Sequence, residues 1–488
     1  MASYKYKFRR TTLIAVFLTA VLVGLGLART KIEFQHWWLA VSLLLIIITL
    51  RRARVMFVVP LILLGLSIGW WRGSAYMSLL DNYNNLYKNN VVVAGVADSD
   101  AVYGDKSQIS FDLGQIKVIE PYRIDLVGKI GIKGFGEPMV YKGDTVQVSA
   151  KLYPTRGPRQ ASLSFASIKV IEKSDSAIEA IRRRFESGMQ SALPEPAASF
   201  GLGLLIGQRS TIPKSVSLQL AAVGLTHVVA VSGYNLTIIM RAVRKLLRKR
   251  SKYQSTVASL LLIGIFLLFT GFSASIVRAA IVSILSLWAW YYGRTFRPIV
   301  LILLAAVITA GVYPIYLWSD IGWYLSFLAF FGILVLAPLT TKRMYKSRQP
   351  KILMTLIIET SAAQIMTMPI IMYIFGQFSA VALLANVLVV PLVPIAMSLC
   401  LIAGLAGMFV PFMSGWLALP SRLSLTYMLD VVSLLSRLPR ALIQQSITVW
   451  QMVMMYCGMV MLVIILWHKI KTSSGIITDI KQVVGGEI

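Results

Sequence analysis

Cysteine and histidine are scarce in this chain of 488 residues, which has two cysteines and three histidines. Cys400 and Cys457 both lie in apolar runs, which argues against a disulfide framework or a metal cluster. His36, His227 and His468 form no H-x-x-x-H spacing and the chain has no C-x-x-C, so zinc would have no obvious ligands. We therefore predict neither a metal nor another cofactor.

Acidic residues are also few, since 20 Asp and Glu against 48 Lys and Arg give a net charge of +28. Residues 73–198 carry 15 basic and 14 acidic side chains, so nearly all of the excess lies in the rest of the chain. Loops of membrane proteins are often basic for topological reasons alone. An excess this large would also suit a polyanionic cargo or an anionic lipid surface.

Apolar residues dominate the composition, at 57% with a mean hydropathy of +0.72. This excludes a soluble protein of this size and predicts a polytopic α-helical membrane protein. Within residues 1–72 we predict three spans, at 12–28, 37–50 and 55–71. Arg51, Arg52 and Arg54 lie between the second and the third, which predicts a cytoplasmic amino terminus in the cytoplasmic (inner) membrane.

Residues 73–174 have the composition of a soluble domain, and the three preceding spans predict that it lies outside the cytoplasm. Residues 82–90 read as an Asn-rich linker, and strand patterns follow at 91–96, 108–119, 124–132, 145–152 and 162–171. Five short strands predict an extracytoplasmic OB-like β-barrel. Such barrels often bind single-stranded nucleic acid with basic and aromatic side chains. This segment is nearly neutral, so a purely structural barrel is an equal alternative.

Residues 175–198 read as an amphipathic interfacial helix that carries the Arg182-Arg183-Arg184 cluster. Residues 199–470 form a second membrane domain, followed by a cytoplasmic tail at 471–488. We expect about ten crossings in the whole chain. The apolar run 379–409 contains Pro391 and Pro394, which predicts two short crossings or a re-entrant pair rather than one helix.

The stretch 200–240 is the most unusual part of the second membrane domain. Residues 215–240 carry no formal charge, yet Gly224 and Gly233 interrupt the stretch, and His227, Ser232 and Asn235 bring polar groups close together. Backbone freed at a break within a membrane usually lines a cavity, so these residues could form the floor of a polar site. The alternative is a kinked helix whose Ser and His side chains hydrogen-bond their own backbone.

Five motifs in order resemble the ComEC/Rec2 competence family: GLLIGQRSTIP at 203–213, GLTHVVAVSGYN at 224–235, SASIVRAA at 273–280, SDIGWYLSFLAFFGILVLAPL at 319–339 and MPIIMYIFGQFSAVALLANVLVVPLVP at 368–394. Each motif alone would be weak. The resemblance implies a membrane channel that translocates single-stranded DNA across the cytoplasmic membrane during natural transformation. It also implies the lipid bilayer, a separate nuclease, a DNA receptor and a cytoplasmic motor as partners.

The sequence departs from the family pattern in three ways. Asn235 replaces the second His of the H-x-x-(A/V)-x-S-G-x-H pattern, and Tyr324 replaces the Gln of the F-Q-L-S-F pattern. The metallo-β-lactamase-like domain of many members is also expected to be lacking, because no H-x-H-x-D-H signature occurs before Ile488. We therefore expect no enzyme activity in this chain and strand degradation supplied by a separate protein.

The side chains that the resemblance and the charge pattern assign to the DNA path are polar residues within apolar segments. Arg278 would contact phosphate, although a snorkelling arginine or a structural pair with Glu359 or Asp320 is the alternative. Asp320 could instead cap a helix, and Asn386 could shape a broken helix. The full predicted set is His227, Ser232, Gly233, Asn235, Arg278, Asp320, Tyr324, Ser326, Glu359, Gln364 and Asn386.

Two other functions stay open at this point. A transporter of another polyanion or of lipid would carry the same basic excess. An intramembrane hydrolase would use Ser232 with His227 and Asp320, although no G-x-S-x-G elbow is present.

Overall fold

The computed structural model describes residues 10–30, 34–35, 37–50, 58–103, 108–136, 139–155, 157–208, 211–229, 236, 240, 247, 250–271, 274–293, 297–345 and 350–473. The chain divides into two compact units. The first comprises residues 1–181 and 303–323, and the second comprises residues 182–302 and 324–488.

Helices make up most of the described chain. They are α1 (Arg10–Leu27), α2 (Trp37–Leu50), α3 (Val58–Asp81), α4 (Ala177–Ala192), α5 (Ala197–Ile206), α6 (Lys214–Ala222), α7 (Thr226–Val229), α8 (Lys252–Thr270), α9 (Ala274–Tyr291), α10 (Pro298–Val312), α11 (Ile315–Ser319), α12 (Ile321–Phe331), α13 (Ala337–Tyr345), α14 (Ile352–Phe375), α15 (Ala382–Val389), α16 (Val393–Phe409), α17 (Ser414–Leu417), α18 (Leu419–Ser436) and α19 (Val449–Ser473). A π-helix, Gly332–Leu336, joins α12 to α13.

Seven helical segments of the described chain are long and apolar enough to cross a membrane, which confirms the prediction of a multi-pass membrane protein. They are Thr11–Thr30, Val58–Asp81, Lys252–Thr270, Ile321–Tyr345, Ile352–Phe375, Ala382–Phe409 and Val449–Lys469. Three further apolar helices are shorter, at Ala197–Ile206, Ser275–Tyr291 and Pro298–Val312.

Glycines let α1 and α3 of the first unit touch backbone to backbone. Gly65, Gly69 and Gly73 recur every fourth residue and therefore lie on one face of α3. A Cβ atom on Gly69 would lie 2.1 Å from the carbonyl oxygen of Val21, and one on Gly24 would lie 2.2 Å from that of Leu66. No side chain larger than hydrogen fits at these positions, as is usual where membrane helices approach closely.

The β strands of the first unit form one seven-stranded sheet, which confirms the predicted β domain. They are β1 (Asn90–Ala97), β2 (Val102–Tyr103), β3 (Gln108–Glu120), β4 (Ile124–Leu126), β5 (Ile130–Phe135), β6 (Thr145–Pro154) and β7 (Ala161–Glu172). The pairing order is β1-β6-β7-β5-β3-β2, β4 pairs with β3, and β1 pairs with β3 as well as with β6. Only β5 and β7 pair in parallel among these strands.

The segment predicted as a polar linker at 82–90 is instead part of the sheet domain. Tyr83 and Leu86 are 1% and 0% exposed and pack into the core of the sheet. The Tyr83 hydroxyl donates to the carbonyl of Val127 at 3.1 Å, and burial raises the pKa of this phenol above its ordinary value. The Asn-rich composition concealed this because the buried residues of the segment are only a few among polar neighbours.

Asp144 ties the end of the sheet domain to the chain that leaves it. The residue is 0% exposed, and its Oδ2 accepts from the Tyr141 N–H at 2.9 Å. Its Oδ1 accepts from the Ser174 N–H, also at 2.9 Å. Ser174 lies two residues after the end of β7, so one buried carboxylate holds the start of β6 and the exit from β7 together.

Residues 303–323 belong to the first unit because arginine and tryptophan side chains join them to the N-terminal helices. Arg72 donates to the carbonyls of Gly311 and Val312 at 2.8 and 3.0 Å, where α10 ends. Arg29 donates to the carbonyl of Trp318 at 2.9 Å, and the Trp318 indole N–H donates to the carbonyl of Leu25 at 2.9 Å. Cationic side chains thereby meet the carbonyls at two helix ends.

The second unit is built on a core to which α5, α6, α7, α15, α16 and α18 contribute. The helix predicted to be interfacial, α4, contacts α16 closely, because a Cβ on Gly407 would lie 1.9 Å from the carbonyl oxygen of Gly188. A short ribbon of β8 (Gln377–Ser379) and β9 (Leu442–Gln444) links the helices that flank it. The relation of α4 to the membrane surface stays a prediction.

The run 379–409 was predicted as two short crossings or a re-entrant pair, but it contains one continuous helical segment, Ala382–Phe409. The helix α15 passes through a 3₁₀ turn, Val390–Leu392, directly into α16. Pro391 and Pro394 each stand in the first turn of a helical piece, where the missing N–H costs little. The two prolines therefore bend one long apolar segment without reversing it.

The close contact at Gly69 predicts that Gly69→Ala lowers the free energy of unfolding of the full chain in detergent, by about 1–3 kcal/mol, because α1 and α3 must separate. The matched control is Gly26→Ala, since no atom lies within 4 Å of a Cβ at Gly26. That change should be neutral or add up to about 1 kcal/mol of helix stability. Equal effects of the two substitutions would contradict the packing.

The role of Asp144 predicts that Asp144→Ala leaves two backbone N–H groups without their acceptor and costs about 2–4 kcal/mol. Trypsin should then cleave after the exposed Lys173 faster than in the unmodified chain. Asp125→Ala, which changes an exposed carboxylate on β4, is the control and should leave the cleavage rate unchanged. If trypsin cleaves both variants as slowly as the unmodified chain, Asp144 does not hold the segment that leaves β7.

Candidate functional site

Arg278 is the largest fully buried side chain of the described chain, with 1% of its surface exposed. It lies one turn into α9, and its guanidinium carbon is 5.7 Å from the centre of the Phe327 ring on α12. A snorkelling arginine would bring its charged group to the surface. Arg278 instead holds a cation over an aromatic face within the protein.

The neighbours of Arg278 join its helix to the central stretch of the sequence. Ile276, Ala279 and Ala280 form a buried cluster with Ile263 and Phe266 of α8. Leu236 and Met240, from the end of the stretch 200–240, belong to the same cluster. Two segments that the sequence motifs single out therefore meet in one buried cluster.

Gly224 is required both by its backbone and by its neighbours. Its φ of 74° lies in the left-handed region that favours glycine. A Cβ at this position would lie 2.8 Å from the Cβ of Ala382 and 3.3 Å from that of Ser379. The turn at Gly224, where the sequence predicted a break, thus packs against the start of α15.

His227 is exposed, and its ring Nδ1 lies 3.1 Å from the carbonyl oxygen of Gly224 within the same turn. This contact is the local backbone bond that the sequence left as an alternative to a cavity role. Ser232, Gly233 and Asn235 lie outside the described residues. The structure therefore places only the first polar member of the predicted cluster.

Asn386 lies on α15 with 7% of its surface exposed, beside Ala385 and Val389 in the main core of the second unit. Val228 and Val229 of α7 belong to the same core. The Oδ1 atom of Asn386 and the Oγ atom of Ser379 have no hydrogen-bond partner among the described residues. Buried oxygens of this kind are usually completed by water or a ligand.

Asp320 has the geometry of a helix cap. It precedes α12 with extended backbone torsions, and its Oδ1 accepts from the Trp323 N–H at 3.2 Å. The Trp323 indole in turn donates to Thr309 Oγ1 at 3.0 Å. These bonds give the carboxylate a structural role at the start of α12, which the sequence held open as the alternative to a place on the path.

The other predicted residues lie on α12 and α14. Tyr324 and Ser326 are half-buried on α12, while Gln364 is half-buried and Glu359 exposed on α14. The two helical segments approach where a Cβ on Gly332 would lie 2.6 Å from the carbonyl oxygen of Ala362. This contact lies in the π-helix that follows α12, and such bulges are frequent at functional sites.

Sequence reasoning missed Phe327 and Gly332. Phe327 follows Ser326 directly, but nothing in the sequence pairs its ring with Arg278. A glycine inside the apolar helix at 332 was the available signal for close helix packing. Within the described ranges, no group of three or more His, Cys, Asp and Glu side chains is placed to hold a metal ion.

Comparison with known proteins agrees with the arrangement of these motifs. A family model described as Competence protein matches residues 204–469. The ComE operon protein 3 of Bacillus subtilis (strain 168) is 24% identical over 243 residues, which cover 48% of this chain and 30% of that protein. The chain thus matches about a third of the length of this relative. No solved structure matches the chain.

The family match covers α7, α9, α12, α14 and α15, so it includes Arg278, Phe327, Gly332 and Asn386. It extends over more than half of the 488 residues. This chain belongs to the ComEC/Rec2 family of competence proteins.

Proposed function

We propose that this chain takes part in DNA uptake during natural transformation, as a channel that passes single-stranded DNA across the cytoplasmic membrane. The observation that carries the proposal is the competence-family match across residues 204–469, within which Arg278 is buried against Phe327. The proposal rests on this segment and not on the remainder of the longer relative.

The chemistry of the Arg278 and Phe327 pair suits a single strand. Each nucleotide brings one phosphate charge and one flat base, so a path through apolar surroundings needs cations and aromatic faces. A guanidinium binds phosphate through a planar fork that lysine lacks. In the conformation described here the guanidinium is closed over by protein, and a passing phosphate would take the place of the Phe327 ring.

The sheet domain is part of the same proposal, as an OB-like β-barrel outside the cytoplasm. Its support is that β1 pairs with both β3 and β6. The five longest strands therefore pair in a closed circuit, in the order β1-β6-β7-β5-β3-β1. The parallel pair of β5 and β7 also suits this topology. The amino terminus would then be cytoplasmic, as the Arg51, Arg52 and Arg54 loop favours.

We further propose that this chain is not itself a nuclease and acts with separate proteins. A nuclease, a DNA receptor and a cytoplasmic motor would supply strand degradation, capture and pulling. The transport role needs no hydrolytic group in the path, only cations, aromatic rings and water.

The channel role predicts that Arg278→Ala lowers uptake of labelled single-stranded DNA into reconstituted vesicles by about ten-fold or more, since it removes a charged hydrogen-bond donor. Arg278→Lys should retain part of the flux because it keeps the charge but loses the fork. Phe327→Leu should still insert into the membrane, since leucine preserves most of the apolar volume of phenylalanine. The measurement is DNA uptake normalised to membrane-inserted protein.

The matched control for Arg278 is Arg297→Ala, which removes an exposed arginine just before α10. This variant should transport at the unmodified rate. If Arg278→Ala and Arg278→Lys also transport at that rate, Arg278 does not line the path. If neither inserts, its role is to hold the helices together.

The topology predicts that a cysteine at the exposed Lys117 on β3 is labelled by an impermeant thiol reagent from outside the cell. Lys117 suits this test better than Lys142, which lies 3.9 Å from Glu179 in a partly buried ion pair. The background should carry Cys457→Ser, because Cys457 is exposed and Cys400 is buried. A cysteine at Lys252 should be labelled only from the cytoplasm, and the reverse pattern would overturn the orientation.

A further inference from the structure

An exposed phenylalanine in a strained backbone conformation lies within β7, on the outer face of the sheet domain. Phe165 is 83% exposed and has a φ of 57°, a left-handed conformation that a bulky residue rarely adopts. Lys133 and Gly134 of β5 are consecutive, but they pair with Ser164 and Ala166 of β7, so Phe165 is an inserted residue in the strand. Such bulges re-aim side chains and are frequent at binding sites.

The bulge brings Phe165 beside a second exposed ring. Phe135 ends β5 and is 50% exposed, and the two ring centres are 5.9 Å apart with their planes tilted by 33°. Packing into the core does not explain the presence of these two rings, since Phe165 is 83% and Phe135 50% exposed. The two rings form an aromatic platform, by which we mean Phe135 and Phe165 together.

Lysines stand next to this platform on the outer face of the sheet. Ser164 pairs with Lys133 on one side and with Lys151 on the other, and paired residues share a face. Both lysines are exposed. The outer face of β5, β7 and β6 therefore offers two cations, a hydroxyl and two aromatic rings in adjoining positions.

The platform lies away from the end of the domain that contacts the N-terminal helices. Val127 packs against the cluster of Ala28, Tyr76 and Trp318, and the Gln160 carbonyl accepts from Tyr87 in the segment that follows α3. The strands β5 and β7 start just after Val127 and Gln160 and run in parallel, so the platform lies about 15 Å further along them. This position disfavours insertion of the rings into the lipid of those helices.

We propose that the aromatic platform, with Lys133 and Lys151, is a binding site for an unpaired DNA strand. The inference rests on the proposed function, which makes single-stranded DNA the cargo. Bases stack on exposed rings without sequence preference, while lysines meet the backbone phosphates. A duplex presents phosphates but no free base faces, so the site selects single strands.

The test is equilibrium binding of a labelled oligothymidylate of about 15 nucleotides to the full chain in nanodiscs. Phe165→Gly should weaken binding at least about fivefold through the loss of one stacked base. Glycine adopts the φ of 57° freely, so this variant keeps the bulge and the fold. Phe135→Ala should weaken binding to a similar extent, and a duplex of the same length should bind weakly and equally to all variants.

The lysines have a separate readout in the salt dependence of binding. Replacing Lys133 and Lys151 by Gln should lower the slope of log affinity against log salt by about 1.4, since each phosphate contact contributes about 0.7 for single strands. Lys117→Gln and Tyr122→Ala change exposed residues elsewhere in the domain and serve as controls. An unchanged affinity in both phenylalanine variants, or an equal loss in Tyr122→Ala, overturns the proposal.

The outcome is distinguishable from that of the channel role. Vesicles that take up DNA through the unmodified chain, together with normal binding by Phe165→Gly, would leave the channel intact and refute the platform. Binding that depends on both phenylalanines in a chain that transports nothing would support the platform and refute the channel. If Phe165→Gly weakens binding of anionic lipid but leaves DNA binding unchanged, the platform is also refuted as a DNA site.

Discussion

Close backbone contact between helices is the constraint on which the membrane-spanning parts depend. In hydrocarbon no water competes for apolar surface, so helices associate through packing, and packing is best where side chains are smallest. Gly69 meets the Val21 carbonyl in the first unit, and in the second Gly407 meets the Gly188 carbonyl. At Gly332 the same kind of contact occurs in the first residue of the π-helix, so the π-helix packs directly on α14.

The position of the buried Arg278 guanidinium depends on this packing. An arginine in an apolar segment costs free energy unless protein groups or water stabilise its charge. Arg278 is buried beside the Phe327 ring, and its helix packs on α8 and on the end of the central stretch. Because the helices are closely packed, the arginine is held at a defined place, as the proposed contact with phosphate requires.

The sheet domain is stabilised differently, because its strands alternate buried and exposed residues. Its core comes from strand alternation, and the buried carboxylate of Asp144 secures the exit of the chain by accepting two backbone N–H groups. Its outer face is free to carry strain and exposed rings, as at Phe165, because the buried face already determines the register of the strands. The residues that stabilise the domain and the proposed aromatic platform therefore lie on opposite faces of the same strands.

The sequence by itself determined the elements. Residues 37–50 were predicted as a span and form one helix, because hydrophobic length is a local property. The five predicted strand regions all lie in the sheet, although the region 124–132 is divided between β4 and β5. It also pointed to Arg278, Asp320 and Asn386 through their polarity within apolar runs. Only the tertiary structure decided what each touches: Phe327 beside Arg278, a helix N–H beside Asp320, and the core around Tyr83 in an apparent linker. The left-handed turn at Phe165 was equally hidden, since it arises from the register of two neighbouring strands, and pairing between distant segments leaves no local mark in a sequence.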